Sequence, residues 1–245
     1  MKRKIRRIVD IGMCILLMVL MGYQVTGGLY HEYAGVAMSV MCIVHIFLNR
    51  YWYPALFKGR YNAYRTIITL IDLSLLICFL VTALCGMAMS SYAVPFMYGI
   101  IPIGTARQLH MSLSYWSFIL MGLHLGFHVP AIVSQYKLRY STKRDLRIFL
   151  IAAGAYGFST FIRNRIMEYL FFKTAFVFFD YSKSIFTVFI EIILMFSFFV
   201  LVGEELSSLT LMLPKKNERK KNLLYPALCI ALAILIGLSI RAMME

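Results

Sequence analysis

The chain has 245 residues, of which 61% are hydrophobic and only 15% are charged, and its mean hydropathy is +0.76. This composition excludes a water-soluble domain and predicts an all-α, polytopic membrane protein, because backbone groups in lipid must be satisfied within helices. The formal net charge of +14 is explained by topology and by contact with the anionic lipid of a bilayer, so it requires no nucleic acid.

Apolar runs of about twenty residues, the length needed to cross a bilayer, give the candidate spans in chain order. They lie at about 8–28, 32–51, 66–89, 108–131, 148–162, 185–212 and 223–243. The fifth run is short and contains Gly154 and Gly157, which leaves six spans as the alternative. The sequence therefore predicts a transmembrane bundle of about seven helices.

Basic residues predict the orientation of this bundle. Most of the 25 Lys and Arg residues cluster in segments 2–7, 50–65, 137–147 and 215–221, which fall on one side of the membrane if all seven spans form. The positive-inside rule then places the N-terminus in the cytoplasm and the chain in the cytoplasmic (plasma) membrane as a multi-pass protein. The first apolar run is too long for a secretory signal, so we expect a retained span.

The first half of the chain resembles a duplicated hairpin. Val9-Asp10 opens the first span and Ile71-Asp72 opens the third, and each is followed by a span that carries two histidines. The outer connections differ, because the first is a short turn at Gly27-Gly28 and the second is a long loop from Ser90 to Arg107. The sequence alone assigns no role to the two aspartates.

The histidine spacing is the feature that points to a function. His31 and His45 are fourteen residues apart, and so are His110 and His124. In a helix this spacing places two rings within roughly 40° of one face and about 21 Å apart along the axis. The two helices run in the same direction, so His31 faces His110 near the outer side and His45 faces His124 near the inner side. Such pairs suit two stacked haem sites with histidine as both axial ligands.

Neighbouring residues fit the same interpretation. Gly35 and other small residues on the two helices would let a flat porphyrin approach the backbone, and Arg107 is placed to neutralise its propionates on the outer side. Arg50 or Arg65 would do so on the inner side. The prediction is two non-covalent b haems, with His31, His45, His110 and His124 as the iron ligands. His128, one turn beyond His124, is the alternative inner ligand; if it is not a ligand, it could exchange protons with a quinone or make a structural hydrogen bond.

Other interpretations stay open. Histidines inside a membrane also serve as interhelical hydrogen-bond partners or as proton relays. A proton- or metal-coupled transporter subunit is the main alternative, and Glu32 is the only carboxylate near the histidines that would support metal binding. A scaffold that assembles other membrane proteins through its last helices is the third possibility. The five cysteines form no C-x-x-C motif and are expected to be buried.

Two motifs carry a resemblance to a known family. Segments 31–35 (HEYAG) and 45–52 (HIFLNRYW) are similar to the H-E-x-x-G…H-x-x-x-N-x-x-W pattern of the DUF4405 family, the flavinylation-associated cytochromes. Segments 107–110 and 124–128 resemble the R-x-x-H…H-x-x-x-H stretch of that family. The resemblance implies a b-type cytochrome that moves electrons across the membrane, often to an extracytoplasmic protein with covalently attached FMN. Because the chain has no flavin-attachment motif, any FMN belongs to a partner.

The resemblance covers about residues 8–131 and divides the chain in two. Residues 1–131 are expected to form a four-helix, di-haem cytochrome b-like domain. Residues 132–245 are expected to add about three membrane helices and an external aromatic segment between Arg163 and Lys183. The predicted function is electron transfer from quinol or another inner donor to an extracytoplasmic flavoprotein. With both axial positions filled, the chain would be an electron-transfer subunit and not a stand-alone enzyme, and a quinol-oxidising site would make it a component of an oxidoreductase.

Overall fold

The computed structural model describes residues 2–136, 140–174 and 176–212, and in this part the chain is helical without any strand. Four helices are long and apolar enough to cross a membrane: Tyr23–Leu48, Ala63–Ala88, Ile103–Ser134 and Ile185–Met212. The prediction of an all-α membrane protein is confirmed at this level. The predicted runs 8–28 and 148–162 correspond to helices that are not among these four, and the expected last span, 223–243, lies outside the described residues. The predicted count of seven is therefore confirmed only in part.

The first hairpin consists of α1 (Lys2–Met21) and α2 (Tyr23–Leu48). Its boundaries differ from the predicted runs 8–28 and 32–51, because α1 already ends before Gly22. Gly27 then interrupts α2 with φ 70° and ψ 174°, a backbone conformation that other residues rarely adopt. The predicted turn at Gly27 is therefore present as a kink inside α2, and the straight part of α2 that follows carries both histidines.

The second hairpin consists of α4 (Ala63–Ala88) and α5 (Ile103–Ser134), and it follows a short helix, α3 (Trp52–Leu56). Asn62 caps α4 by accepting a hydrogen bond from the backbone N–H of Arg65 at 2.8 Å. The connection between α4 and α5 is irregular apart from a 3-10 helix at Pro95–Met97, as the sequence predicts. It is shorter than expected because α5 begins at Ile103, ahead of Arg107.

The remaining helices are α6 (Tyr140–Arg163), α7 (Ile166–Leu170) and α8 (Ile185–Met212). The bounds of α8 match the predicted run 185–212, whereas α6 is longer than the predicted run 148–162. Glycines let α8 approach its neighbours closely. A Cβ on Gly126 of α5 would lie 2.3 Å from the Val200 carbonyl, and one on Gly157 of α6 would meet the backbone of Leu194. Small residues at helix contacts are typical of membrane bundles.

The largest apolar core joins α8 to both hairpins. Val9, Met13 and Leu17, one face of α1, are buried in it together with Phe118 of α5 and Phe199 of α8. The short helix α7 is attached to α5 by two hydrogen bonds to its last carbonyl, that of Leu170: 2.9 Å from the Ser112 hydroxyl and 3.2 Å from the Trp116 indole. The helical directions bring the histidine-bearing helices α2 and α5 parallel to each other, as the spacing argument requires.

Candidate functional site

The two ends of the bundle differ in what surrounds the histidines. At one end lie the 89–102 connection and segment 171–184, and we call this the loop end. At the other end lie the start of α1, the end of α2 and the start of α4, with Arg6, Arg7, Arg50 and Arg65, and we call this the basic end. Each helix of the two hairpins runs from one end to the other.

The loop end brings His31 and His110 together. Their ring centres are 5.9 Å apart with planes 71° from parallel, and the Tyr23 ring contacts His31 at 5.0 Å. The Nδ1 atom of His110 lies 2.9 Å from the Thr82 carbonyl of α4, which accepts its hydrogen bond. Gly86 makes room for this ring, because a Cβ there would lie 3.0 Å from it. The pair is therefore held by both hairpins.

His31 is oriented less firmly than His110. Its buried Nδ1 atom makes no well-formed hydrogen bond with any residue that the structure describes. The backbone of Leu20 in α1 lies beside the ring. His31 also neighbours Glu32, whose carboxylate is directed elsewhere.

The basic end holds its histidines by carboxylates. The Asp10 carboxylate of α1 lies 2.9 Å from Nδ1 of His45, and the Asp72 carboxylate of α4 lies 2.7 Å from Nδ1 of His124. Each pair is formed within one hairpin. A carboxylate that accepts the Nδ1 hydrogen fixes the tautomer and the ring orientation, and it leaves Nε2 as the nitrogen with a free lone pair.

The internal repeat explains how the two ends are built. In α4, Asp72 supports the basic-end histidine, and Thr82, ten residues later, supports the loop-end histidine through its carbonyl. In α1, Asp10 supports the basic-end histidine, and Leu20, again ten residues later, faces the loop-end histidine. Ten residues correspond to about 15 Å along a helix. The first helix of each hairpin, α1 or α4, therefore contacts one histidine near the basic end and one near the loop end.

His45 and His124 do not contact each other through their rings. The ring that touches His124 is that of His128, with centres 4.7 Å apart, and His128 also lies within electrostatic range of Asp72, Asp10 and His45. The Asn49 amide nitrogen lies 3.4 Å from Nε2 of His45, a long contact, and donates its better hydrogen bond to the His45 carbonyl at 2.9 Å. His128 forms no carboxylate pair among the described residues, which distinguishes it from His45 and His124.

The remaining predicted residues lie around these pairs. Gly35 faces open space, since only the end of the Leu20 side chain comes within 4.0 Å of a Cβ built there. Arg107 is exposed on the first turn of α5, one turn before His110. Its guanidinium lies 5.4 Å from the centre of the Phe176 ring. Arg107 is therefore at the loop end, as predicted, and its charge is available to an anionic group.

Glu32 joins the two hairpins at the loop end. Its carboxylate accepts hydrogen bonds from the Ser90 hydroxyl at 2.7 Å and from the backbone N–H groups of Ser91, Tyr92 and Ala93 at 2.8–3.0 Å. Both oxygens are occupied. Glu32 thus fixes the start of the 89–102 connection to α2, which is a structural role that the sequence did not suggest.

Segment 171–184 covers the loop end and touches both hairpins. Phe179 stacks on Tyr23, and the Asp180 carbonyl accepts a hydrogen bond from Gln24 at 2.6 Å. The Ser182 hydroxyl and backbone N–H both donate to the Asp180 carboxylate, and these bonds hold the pKa of Asp180 below its usual value. The sequence predicted an external aromatic segment here, and the structure adds that it is tied down beside His31.

A cavity of about 390 Å³ lies under this segment, between α1, α5 and α8. Its polar lining includes Lys183 and Glu191, which form an ion pair at 2.8 Å. The stacked rings of Tyr115 and Tyr169, with centres 5.2 Å apart, form part of the wall. The cavity is separate from the basic-end pair.

The separation of the His31 and His110 rings can be compared with the separation that a shared metal ion would require. Two nitrogen–metal bonds of about 2 Å, together with the ring radii, correspond to ring centres roughly 6 Å apart, and His31 and His110 are separated by 5.9 Å. Among the residues that the structure describes, there is no group of three or more His, Cys, Asp or Glu side chains that could hold a metal ion. His31 and His110 therefore have the separation that two protein ligands of one metal ion would need.

Comparisons of the chain with protein-family models, with curated proteins and with solved structures found no match.

Proposed function

We propose that the chain carries electrons across a membrane through two haems, each held between histidines of α2 and α5. His31 and His110 would hold one haem at the loop end, and His45 and His124 would hold the other at the basic end. The haem iron supplies reversible one-electron chemistry. The chain supplies the ligands, their orientation and an apolar surrounding, and it moves no chemical group.

The loop-end pair carries this proposal. Two histidines from separate hairpins meet at 5.9 Å between ring centres. The Thr82 carbonyl orients His110, and the open side of Gly35 leaves space for a planar group on α2. Arg107 at the same end supplies a positive charge for propionates.

The basic-end histidines support the proposal through the carboxylates that bond to their Nδ1 atoms. Histidines that bind metals almost always donate their other ring N–H to a carboxylate or a carbonyl, and His45, His110 and His124 all have such an acceptor. A single histidine in a core also needs such a partner, but three supported histidines at matched positions along two similar hairpins are unusual. Because only His45 and His124 are paired with aspartates, they are favoured over His128 as the ligands.

The charge distribution supports a direction of electron flow, and the family resemblance supports a partner. The positive-inside rule makes the basic end cytoplasmic and the loop end extracytoplasmic. An inner donor or the quinone pool would then reduce the basic-end haem. An extracytoplasmic FMN-carrying protein, as the resemblance to flavinylation-associated cytochromes implies, would accept electrons at the loop end. The 89–102 connection and segment 171–184 form the surface available to that partner.

The metal-transport form of the alternative loses the support of Glu32. Metal transport through the histidines would normally use carboxylate or cysteine ligands as well, and Glu32 has both oxygens engaged by the residues of the 90–93 segment. Asp10 and Asp72 each have their hydrogen-bonded oxygen directed at a histidine.

Haem content tests the proposal directly. Protein purified in detergent should contain two non-covalent haems b per chain by pyridine haemochrome, with a dithionite-reduced minus oxidised spectrum of a b-type cytochrome. His110→Ala should remove one haem and His124→Ala the other, because each site has only two protein ligands. His128→Ala is the matched control and should retain both. Full haem content in a variant that lacks all four paired histidines would refute the proposal.

A further inference from the structure

The two histidine pairs differ in the charge of the groups that support them. At the basic end, two aspartate carboxylates bond directly to Nδ1 of the histidines, at 2.9 and 2.7 Å. At the loop end, the supporting group of His110 is the neutral carbonyl of Thr82, and His31 has no carboxylate bonded to it. The two sites therefore have the same kind of ligand, but the groups hydrogen-bonded to those ligands are negatively charged at the basic end and neutral at the loop end.

A carboxylate acceptor makes its histidine a stronger electron donor to the metal. Its negative charge also favours the oxidised, more positive state of iron, and both effects lower the reduction potential. A neutral carbonyl lowers the reduction potential less, because it has a dipole but no net charge. From this contrast, and resting on the proposed function, we infer that Asp10 and Asp72 make the basic-end haem the lower-potential site, so that electrons pass from the basic end to the loop end.

The transfer itself balances simply. One electron leaves the basic-end site, which returns to its oxidised state, and reduces the loop-end site. No bond forms or breaks and no proton moves. The electron that refills the basic end comes from a reductant of the quinol class or from a chemical reductant in the assay.

Other charges near the two pairs do not reverse this order. Arg6 and Arg65 at the basic end donate to backbone carbonyls, those of Leu48 and of residues 55–60. Arg6 is exposed and Arg65 is partly exposed, so solvent screens their charges. Glu32 is the carboxylate closest in sequence to a loop-end histidine. Glu32 acts on His31 through space, but its oxygens accept hydrogen bonds from four donors in the 90–93 segment and it is not hydrogen-bonded to the ring. The two aspartates are the anions that bond to ligands.

Asp72→Asn is the decisive variant, because asparagine keeps the acceptor oxygen and removes the charge. In a redox titration of wild-type protein, the component that His124→Ala eliminates should have the lower potential. Asp72→Asn should raise the potential of that component and lower the equilibrium constant for transfer to the loop end about tenfold, which is about 59 mV for one electron. Asp10→Asn should act in the same direction with a smaller shift, because Asp10 is more exposed.

Asp145→Asn is the matched control, since Asp145 is an exposed carboxylate on α6 paired with Arg144 and not with a histidine. It should leave both potentials unchanged. The inference is overturned if the basic-end component has the higher potential in wild-type protein, or if neither aspartate variant raises it. Loss of that haem from both variants also overturns it, because the carboxylates would then be needed for binding. Absence of haem from wild-type protein would instead refute the proposed function.

Discussion

The first hairpin, α1–α2, and the second hairpin, α4–α5, orient their basic-end histidines with the same kind of bond but in different surroundings. In the second hairpin the side chains of His124 and Asp72 are 25% and 17% exposed, whereas in the first those of His45 and Asp10 are 33% and 52% exposed. The second hairpin packs along α8 and forms much of the buried core, while α2 has only sparse contacts with α4. Duplicated sequence elements have therefore produced one half that is embedded and one that is peripheral.

This difference means that the second hairpin sets the position of the site and the first is fixed against it. Three connections fix it at the loop end: Glu32 to the 90–93 segment, the ring contact between His31 and His110, and the contacts of segment 171–184 with Tyr23 and Gln24. At the basic end, Arg7 of α1 donates a hydrogen bond to the Gln135 side chain at the end of α5 at 2.6 Å, and one face of α1 packs in the shared core.

The largest expected effect comes from Gly126→Ala in the second hairpin. The new Cβ would lie 2.3 Å from the Val200 carbonyl and 2.8 Å from the Gly203 Cα, and backbone atoms in a packed bundle cannot move aside cheaply. We expect a loss of about 3 kcal/mol or more of folding free energy, at the upper end for overpacking. Thermal unfolding in detergent and the yield of monodisperse protein would measure it.

Two controls sharpen this comparison. Gly104→Ala makes the same change on the same helix, at a position with no atom within 4 Å of the new Cβ, and should be tolerated. Gly12→Ala places a Cβ 2.4 Å from Cε of Met41, the end of a flexible side chain in the first hairpin, which can rotate away. If Gly12→Ala is as damaging as Gly126→Ala, the first hairpin is packed as rigidly as the second.

A smaller effect should separate Asp72→Ala from Asp10→Ala. Removing Asp72 leaves a mostly buried imidazole N–H without its acceptor, which costs about 1.5–3 kcal/mol for a bond to a charged group. Asp10 is half exposed, so water can replace it at His45, and we expect a loss of at most about 1 kcal/mol. Unfolding temperatures of the two variants, measured without added haem, would test this order. Equal losses would contradict the unequal burial of the two hairpins.

These aspartates also show how far the sequence alone can be used. The repeat of Val9-Asp10 and Ile71-Asp72 is visible in the sequence, and so is the fourteen-residue histidine spacing, because both depend only on helical periodicity. That each aspartate bonds to the second histidine of its own hairpin depends on the relative depth of two helices. This depth is set by the length of the turn between them, which periodicity does not give. The aspartate repeat beside the histidine repeat was the signal that could have suggested it.

The predicted helices differ from the observed ones for local reasons of the same kind. The run at 185–212 is bounded by polar and charged residues, and α8 has the same bounds. The predicted runs 8–28 and 32–51 are bounded by hydropathy alone. Hydropathy does not indicate that α1 includes basic residues from Lys2 onward, or that α2 continues across Gly27. Glu32 was considered only as a metal ligand, because its partners are backbone N–H groups of a distant connection, which no side-chain pattern reveals.

The smallest expected effect concerns the connection between the hairpins, and Glu32→Gln would measure it. Glutamine has one acceptor oxygen and no charge, so it cannot satisfy the four donors that both carboxylate oxygens now accept. The amides of Ser91, Tyr92 and Ala93 should then exchange with solvent about tenfold faster, which corresponds to about 1.4 kcal/mol of local opening free energy, while the unfolding temperature changes little. The backbone amide of Val25 in the first hairpin, bonded to the Gly22 carbonyl at 2.9 Å, is the internal control and should keep its rate. Unchanged exchange at residues 91–93 would mean that the second hairpin orders this connection by itself, without Glu32 of the first hairpin.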